Sequence, residues 1–167
     1  ENTDYFQFYL VFIIQDQNIQ IKMIDIKVFN RFDKIAINDL SVEKLAKKIL
    51  SEKSLNDKAV ISIIFCDNKT LNNFKIKYFD EDVFTDIVTF KIEDKPFLEA
   101  ELYISTEMAI ENAKEFKVSL DNEIIRLISH GILHLIGYDD RNNSSSKKMF
   151  SVQEEIVEKF EDSILDE

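Results

Sequence analysis

The stretch DNEIIRLISHGILHLIGYDD, residues Asp121 to Asp140, contains both histidines and both glycines of the 167-residue chain. Ile124, Ile125, Leu127, Ile128, Ile132, Leu133, Leu135 and Ile136 make it apolar nearly all round, and a helix of that kind sits in the middle of a fold. Asp121 reads as its N-cap, and Gly137 as its stop, a residue suited to the left-handed position just past a helix end. Gly131 has no such explanation. Inside a helix, glycine costs about 1 kcal/mol against alanine, so something at this position requires the missing side chain.

Outward from this helix, apolar periodicity divides the chain into alternating strands and helices. IDIKVF (24–29) reads as a strand, SVEKLAKKILSEK (41–53) as a helix capped by Ser41, and AVISIIFC (59–66) as a buried strand. Asp67 caps a short helix in DNKTLNNFKIKY. DIVTFKIE (86–93) and AELYIS (100–105) are two further strands with Pro96 between them, and TEMAIENAKEF (106–116) returns to helical spacing. A last helix, capped within serines 144–146, carries Met149, Val152, Ile156, Phe160 and Ile164 at intervals of three or four. Strands interrupted by helices, with one adjacent strand pair, predict an α+β fold: a small mixed four-stranded sheet covered by helices.

Composition narrows the function classes. With 45% apolar residues, 14 of them phenylalanine, the chain can bury one core, and residues 23–167 are read as a single domain. Residues 1–22 precede the first methionine, Met23, and are set aside as an N-terminal extension whose origin the sequence leaves open. No apolar run reaches the roughly 18 residues of a membrane span. Cys66 has no partner for an intrachain disulfide, which fits a reducing, cytoplasmic setting. A formal net charge of −11 repels phosphodiester backbones and counts against a duplex DNA binder. It does not exclude an enzyme that meets RNA at one cleft.

His130 and His134 stand four apart and project from one helix face, so two imidazoles can converge on one point. A third ligand must come from beyond the stop at Gly137, and Asp140 is placed to supply it once the chain turns back. Two imidazoles, a carboxylate and an open position suit catalytic zinc, although iron or manganese accept the same donors. The spacing HxxxHxxGxxD matches the extended zincin pattern HExxHxxGxxH except at two residues. In HExxH peptidases the glutamate is the base that activates metal-bound water, and Gly131 cannot take that role.

HGILHLIGYDD resembles the signature HGxLHLxGYDH of the YbeY family of bacterial metal-dependent endoribonucleases, departing from it at the last position. TDIVTF (85–90) is similar to that family's TDVLSF strand, and LEAELYIS (98–105) to its LGDIxIS strand. The resemblance implies a metal-assisted, single-strand-directed ribonuclease acting in ribosomal RNA maturation and ribosome quality control. It implies ribosomal RNA and the small ribosomal subunit as partners, with ribosomal or GTPase assembly proteins. It makes His130 and His134 the first two zinc ligands and puts Asp140 where the family has a third histidine. Phe79 occupies the place of a family arginine suited to clamping phosphate, with Lys75 and Lys77 close by in sequence. Asp86, Glu101 and Asp139 lie in or beside the matching segments and are candidate general bases; the catalytic residue is left open. Two other readings are a metal-dependent peptidase or amidase, and a non-catalytic ribosome assembly factor with a structural metal. Gly131 is expected to let a neighbouring element, or the substrate, approach the metal closely.

Overall fold

The computed structural model describes residues 10–15, 18–32, 34–53 and 58–166, and for residues 10–22 the backbone alone. Ten elements follow in order: β1 (Leu10–Gln15), β2 (Asn18–Asn30), α1 (Asp39–Lys53), β3 (Lys58–Cys66), α2 (Asn68–Phe79), β4 (Ile87–Glu93), β5 (Leu98–Ser105), α3 (Thr106–Phe116), α4 (Leu120–Leu135) and α5 (Asn143–Lys159). The sheet runs β1-β2-β3-β5-β4, with β2, β3 and β5 mutually parallel and both edge strands antiparallel. The four strands after Met23 form the mixed sheet read from the sequence. A fifth, β1, pairs with an unexpectedly long β2 in the segment set aside as an extension; residues 1–9, 16 and 17 of that segment lie outside the described residues. Among the described residues no helix is long and apolar enough to cross a membrane.

Strand alternation builds two unequal apolar layers. Ala59, Ile61, Ile63 and Phe65 of β3 join Leu98, Ala100, Leu102 and Ile104 of β5 in the main core, against Val42, Leu45 and Ile49 of α1 and the apolar surface of α4. The other face holds a small cluster of Cys66, Leu71 and Val88 beneath α2, flanked by Phe90 and Tyr103. β3 is therefore buried on both faces from Ile63 to Cys66, where its apolar run is unbroken, while Val60 and Ser62 on the second face stay partly exposed. Helix α4 touches α1, α3, α5, β4 and β5, the central position its sequence predicts.

Gly131 is explained by the sheet. A Cβ built on it would stand 2.2 Å from Cδ1 of Leu102 and 2.8 Å from Cδ1 of Ile87. The neighbouring element that needs the space is thus β5 with β4; the substrate is excluded, because Gly131 is buried.

Three caps differ from the reading above. Helix α4 is capped by Ser119, whose Oγ accepts from Asn122 N–H at 3.1 Å. Asp121 instead accepts from Ile164 N–H at 2.6 Å and from the Ser163 hydroxyl at 3.0 Å, fastening the C-terminal segment. Helix α1 starts at Asp39 with Ser41 N–H donating to Asn38 Oδ1, so Asn38 replaces Ser41. Asn142, not the serine run, caps α5, and Ile164 is buried beyond the helix end. The expected cap of α2 at Asp67 is as read, and α3 is capped by Ser105, for which no cap was read from the sequence.

Two outcomes follow from this packing. Gly131→Ala gains about 1 kcal/mol of helix propensity but overpacks against Leu102 and Ile87, a strain of about 1–3 kcal/mol, and should be destabilised by roughly 1 kcal/mol in urea unfolding; stability equal to or above wild type would contradict the close approach. Burial pushes the Cys66 thiol up to about 12, so near pH 8 it should react with Ellman's reagent far more slowly in native than in unfolded protein. Equal rates would count against burial of this thiol.

Candidate metal centre

Rotation of α4 is set by Gly131 against the sheet, and this turns His130 and His134 toward α5 and solvent. Their Nε2 atoms are 3.1 Å apart, with ring planes near perpendicular at 81°. The helix ends in a paired closure: Gly137 N–H donates to His134 O at 3.1 Å, and Tyr138 N–H donates to Leu133 O at 2.9 Å. That pattern needs a positive φ at its centre, and Gly137 supplies it at φ +100° with open space around its Cα. The chain then folds back and brings Asp140 Oδ2 to 3.5 Å from His134 Nε2. Ligand atoms of all three residues lie within 4.8 Å of one another, the sole such triad among the described residues.

Two of these separations match those of ligands on a single cation. Ligands about 2.0–2.1 Å from a tetrahedral centre stand roughly 3.3 Å from each other, close to the 3.1 and 3.5 Å found here. The outward ring nitrogens support the same geometry. His134 Nδ1 lies 3.2 Å from the carbonyl of Tyr138, which only accepts, so Nδ1 carries the proton and Nε2 keeps its lone pair. His130 Nδ1 lies 3.0 Å from Oε1 of Gln153, a side chain only 5% exposed. Two lone pairs and a carboxylate oxygen aimed at one point repel one another in the absence of positive charge, and can hold a divalent ion.

The family model described as Endoribonuclease YbeY matches residues 27–161. The chain belongs to the YbeY family. Proteins carrying that same description include one from Malacoplasma penetrans, 31% identical over 81% of this chain and 93% of its own length, and one from Treponema denticola, 35% identical over 75% and 85%. The solution structure of a Thermotoga maritima protein superposes with a TM-score of 0.57 at 26% identity, covering 80% of this chain and 87% of the other. The α+β fold and the family read from HGILHLIGYDD both stand, and the chain is similar to endoribonucleases over most of its length.

The other candidate residues of the YbeY motif segments disperse. Glu101 accepts from the Tyr103 hydroxyl at 2.9 Å on the sheet face opposite α4, where both line a cleft of about 490 Å³ with Lys27, Phe29 and Arg31; it cannot reach the histidines. Asp86 accepts from the Asn112 amide at 2.9 Å. Asp139 is held by Arg141 through its Nε at 2.9 Å, and those bonds keep its carboxyl below the usual range. Phe79 ends α2, half exposed, stacked on Phe90 with ring centroids 6.3 Å apart. Lys75 is committed to Glu81 at 2.6 Å and lies over the Phe79 ring, while Lys77 lies over Tyr78. Gln153 and the Tyr138 carbonyl escaped the sequence reading. The available signal for Gln153 was a polar side chain in the buried row Met149, Gln153, Val157 of α5, continued by its C-cap Phe160.

Behind Gln153, Glu154 accepts from Arg126 Nε at 2.9 Å and Nη2 at 3.2 Å, and Arg126 Nη1 donates to Glu123 at 2.7 Å. These bonds to Arg126 hold the Glu154 carboxyl below its ordinary range of about 4.3. A carboxyl depressed in the folded state contributes stability above its unfolded pKa and loses it as pH falls through the folded value. Wild type should therefore lose stability below about pH 4 more steeply than Glu154→Gln in acid unfolding; parallel curves would remove this pair from the acid limb.

Proposed function

We propose that this chain is a divalent-metal-dependent endoribonuclease that cleaves unpaired segments of ribosomal RNA during maturation and quality control, in the cytoplasm and on or near the small ribosomal subunit. His130, His134 and Asp140 are its metal ligands and zinc is the leading occupant. The reading is carried by one observation: at the family's motif, three ligand atoms from two helical turns and the loop beyond them lie within 4.8 Å. A bound divalent ion supplies Lewis acidity toward a phosphodiester and lowers the pKa of a coordinated water.

The chain's own residues do the rest. Both imidazoles have Nδ1 hydrogen-bonded to fixed acceptors, so they hold their orientation and present Nε2. Asp140, with its side chain 45% exposed, contributes a charged ligand where the family has histidine, which lowers the net positive charge of the site. RNA contact near α2 relies on Tyr78, Phe79 and Phe84, exposed by 55%, 48% and 65%. Their rings stack on unpaired bases, which favours a single strand over a duplex.

The test uses single-stranded and duplex segments of ribosomal RNA, with a peptide substrate in parallel. Cleavage of the single strand should stop on chelation, return with zinc or manganese, and fall in His134→Ala by more than the roughly 10–100-fold that losing an outer hydrogen-bond partner costs. Equal cleavage by His134→Ala would mark a contaminating ribonuclease. Peptide turnover, or tight metal binding without turnover of any RNA, would replace the reading.

A further inference from the structure

We propose that Gln153, oriented by Glu154, is a positioning residue that fixes His130 in the tautomer with its proton on Nδ1 and thereby keeps the Nε2 lone pair turned to the cluster. The purpose of this device rests on the metal-site reading above; the device itself rests on hydrogen-bond polarity. A glutamine amide has one accepting and one donating end. The donating end, Nε2, faces Glu154 Oε1 at 3.2 Å, and a carboxylate there can only accept. The accepting end must then face His130, whose Nδ1 at 3.0 Å has to donate. Flipping the amide would oppose two acceptors at Glu154, and two donors at His130 unless the imidazole proton moved to Nε2.

Glu154 is itself prevented from turning. Arg126 grips both its oxygens, Glu123, 2% exposed, grips Arg126, and Glu123 accepts from Asn112 at 3.1 Å. Direction is therefore passed along a chain, Asn112 to Glu123, Arg126 to Glu123 and Glu154, Gln153 to Glu154, His130 to Gln153. His134 needs no such chain, because the helix-end turn places a backbone carbonyl at its Nδ1. Free neutral histidine in water prefers the proton on Nε2, so the His130 tautomer is imposed by its surroundings.

With only two histidines in the chain, ¹⁵N NMR of histidine-labelled protein above neutral pH reads each tautomer without metal. Wild type should show Nδ1–H at both. Gln153→Met should return His130 to Nε2–H and weaken zinc affinity by about 10–100-fold. Glu154→Met is the sharper variant. It removes the acceptor that holds the Gln153 amide, so the amide is free to turn its donating end to His130 and the His130 tautomer shifts toward Nε2–H. The exchange Gln153→Glu with Glu154→Gln restores an acceptor at His130 and a donor behind it, and should recover Nδ1–H together with most of the affinity. Thermal melting of each metal-free variant reports whether it is folded, and Glu154, partly exposed, is the variant least exposed to that failure. An Nδ1–H signal at His130 unchanged in folded Glu154→Met or in folded Gln153→Met would overturn the proposal. Wild type that shows these tautomers but takes up no divalent ion would instead sink the metal site and leave the positioning intact.

Discussion

Everything at the candidate centre depends on how closely α4 lies on the sheet at Gly131. With no side chain there, the helix backbone sits against Leu102 and Ile87, and that contact fixes the helix's rotation about its axis as well as its depth. At roughly 100° per residue, Glu123, Arg126, His130 and His134 then all fall between about 60° and 140° to one side of the sheet-facing line. Four polar residues in an otherwise buried helix share one stripe, and α5 lies along it. Were Gly131 replaced by a residue that pushed the helix outward or turned it, the stripe would leave Gln153 and Glu154 behind.

The stripe is ionic where it is most enclosed. Glu123 is buried, and the Arg126 that joins it to Glu154 is mostly covered. Removing such charges from water costs several kcal/mol per ion, so replacement by well-packed apolar residues is often neutral or favourable for stability. What apolar packing cannot supply is direction. A leucine contact between α4 and α5 tolerates a small slide, whereas forked hydrogen bonds from Arg126 to both Glu154 oxygens, at 2.9 and 3.2 Å, admit one register. Register between these helices is what puts Gln153 opposite His130 and so couples packing to the orientation of a ligand.

This separation of causes explains what the sequence made legible. The histidine spacing, the glycine stop and the carboxylate three residues beyond are local features, and a helix with a left-handed exit converts them directly into a triad. Caps were less legible, because Ser, Asn and Asp cluster at each helix start and several could serve. At α1, α4 and α5 the side chain that caps lies two or more residues before the one expected, since each helix extends a little past its apolar periodicity into solvent. Asp121 was further claimed by Ile164, 43 residues away, a tertiary contact with no local trace. Gln153 was hidden for the same reason. Its burial in α5 could be suspected from the row it occupies, but its partner depends on where α5 meets α4. Glu101 failed as a candidate because alternation along β5 says that Glu101 and Leu102 face opposite ways without saying which of them faces α4.

Two departures from the family pattern act in the same direction. Asp140 in place of histidine removes positive charge at the proposed centre, and Phe79 in place of arginine removes it at the end of α2, in a chain already at −11. Lys75, which could have compensated, is neutralised by Glu81. A site with so little long-range attraction for a polyanion must gain its RNA contact at short range, and the exposed rings of Tyr78, Phe79 and Phe84 offer contact of that kind. Stacking requires bases free of a helix, whereas phosphate clamping does not. On the proposed reading, the loss of the arginine therefore narrows the substrate: an acidic enzyme of this shape discriminates for unpaired RNA because a paired strand offers it mainly charge, the one feature its surface rejects.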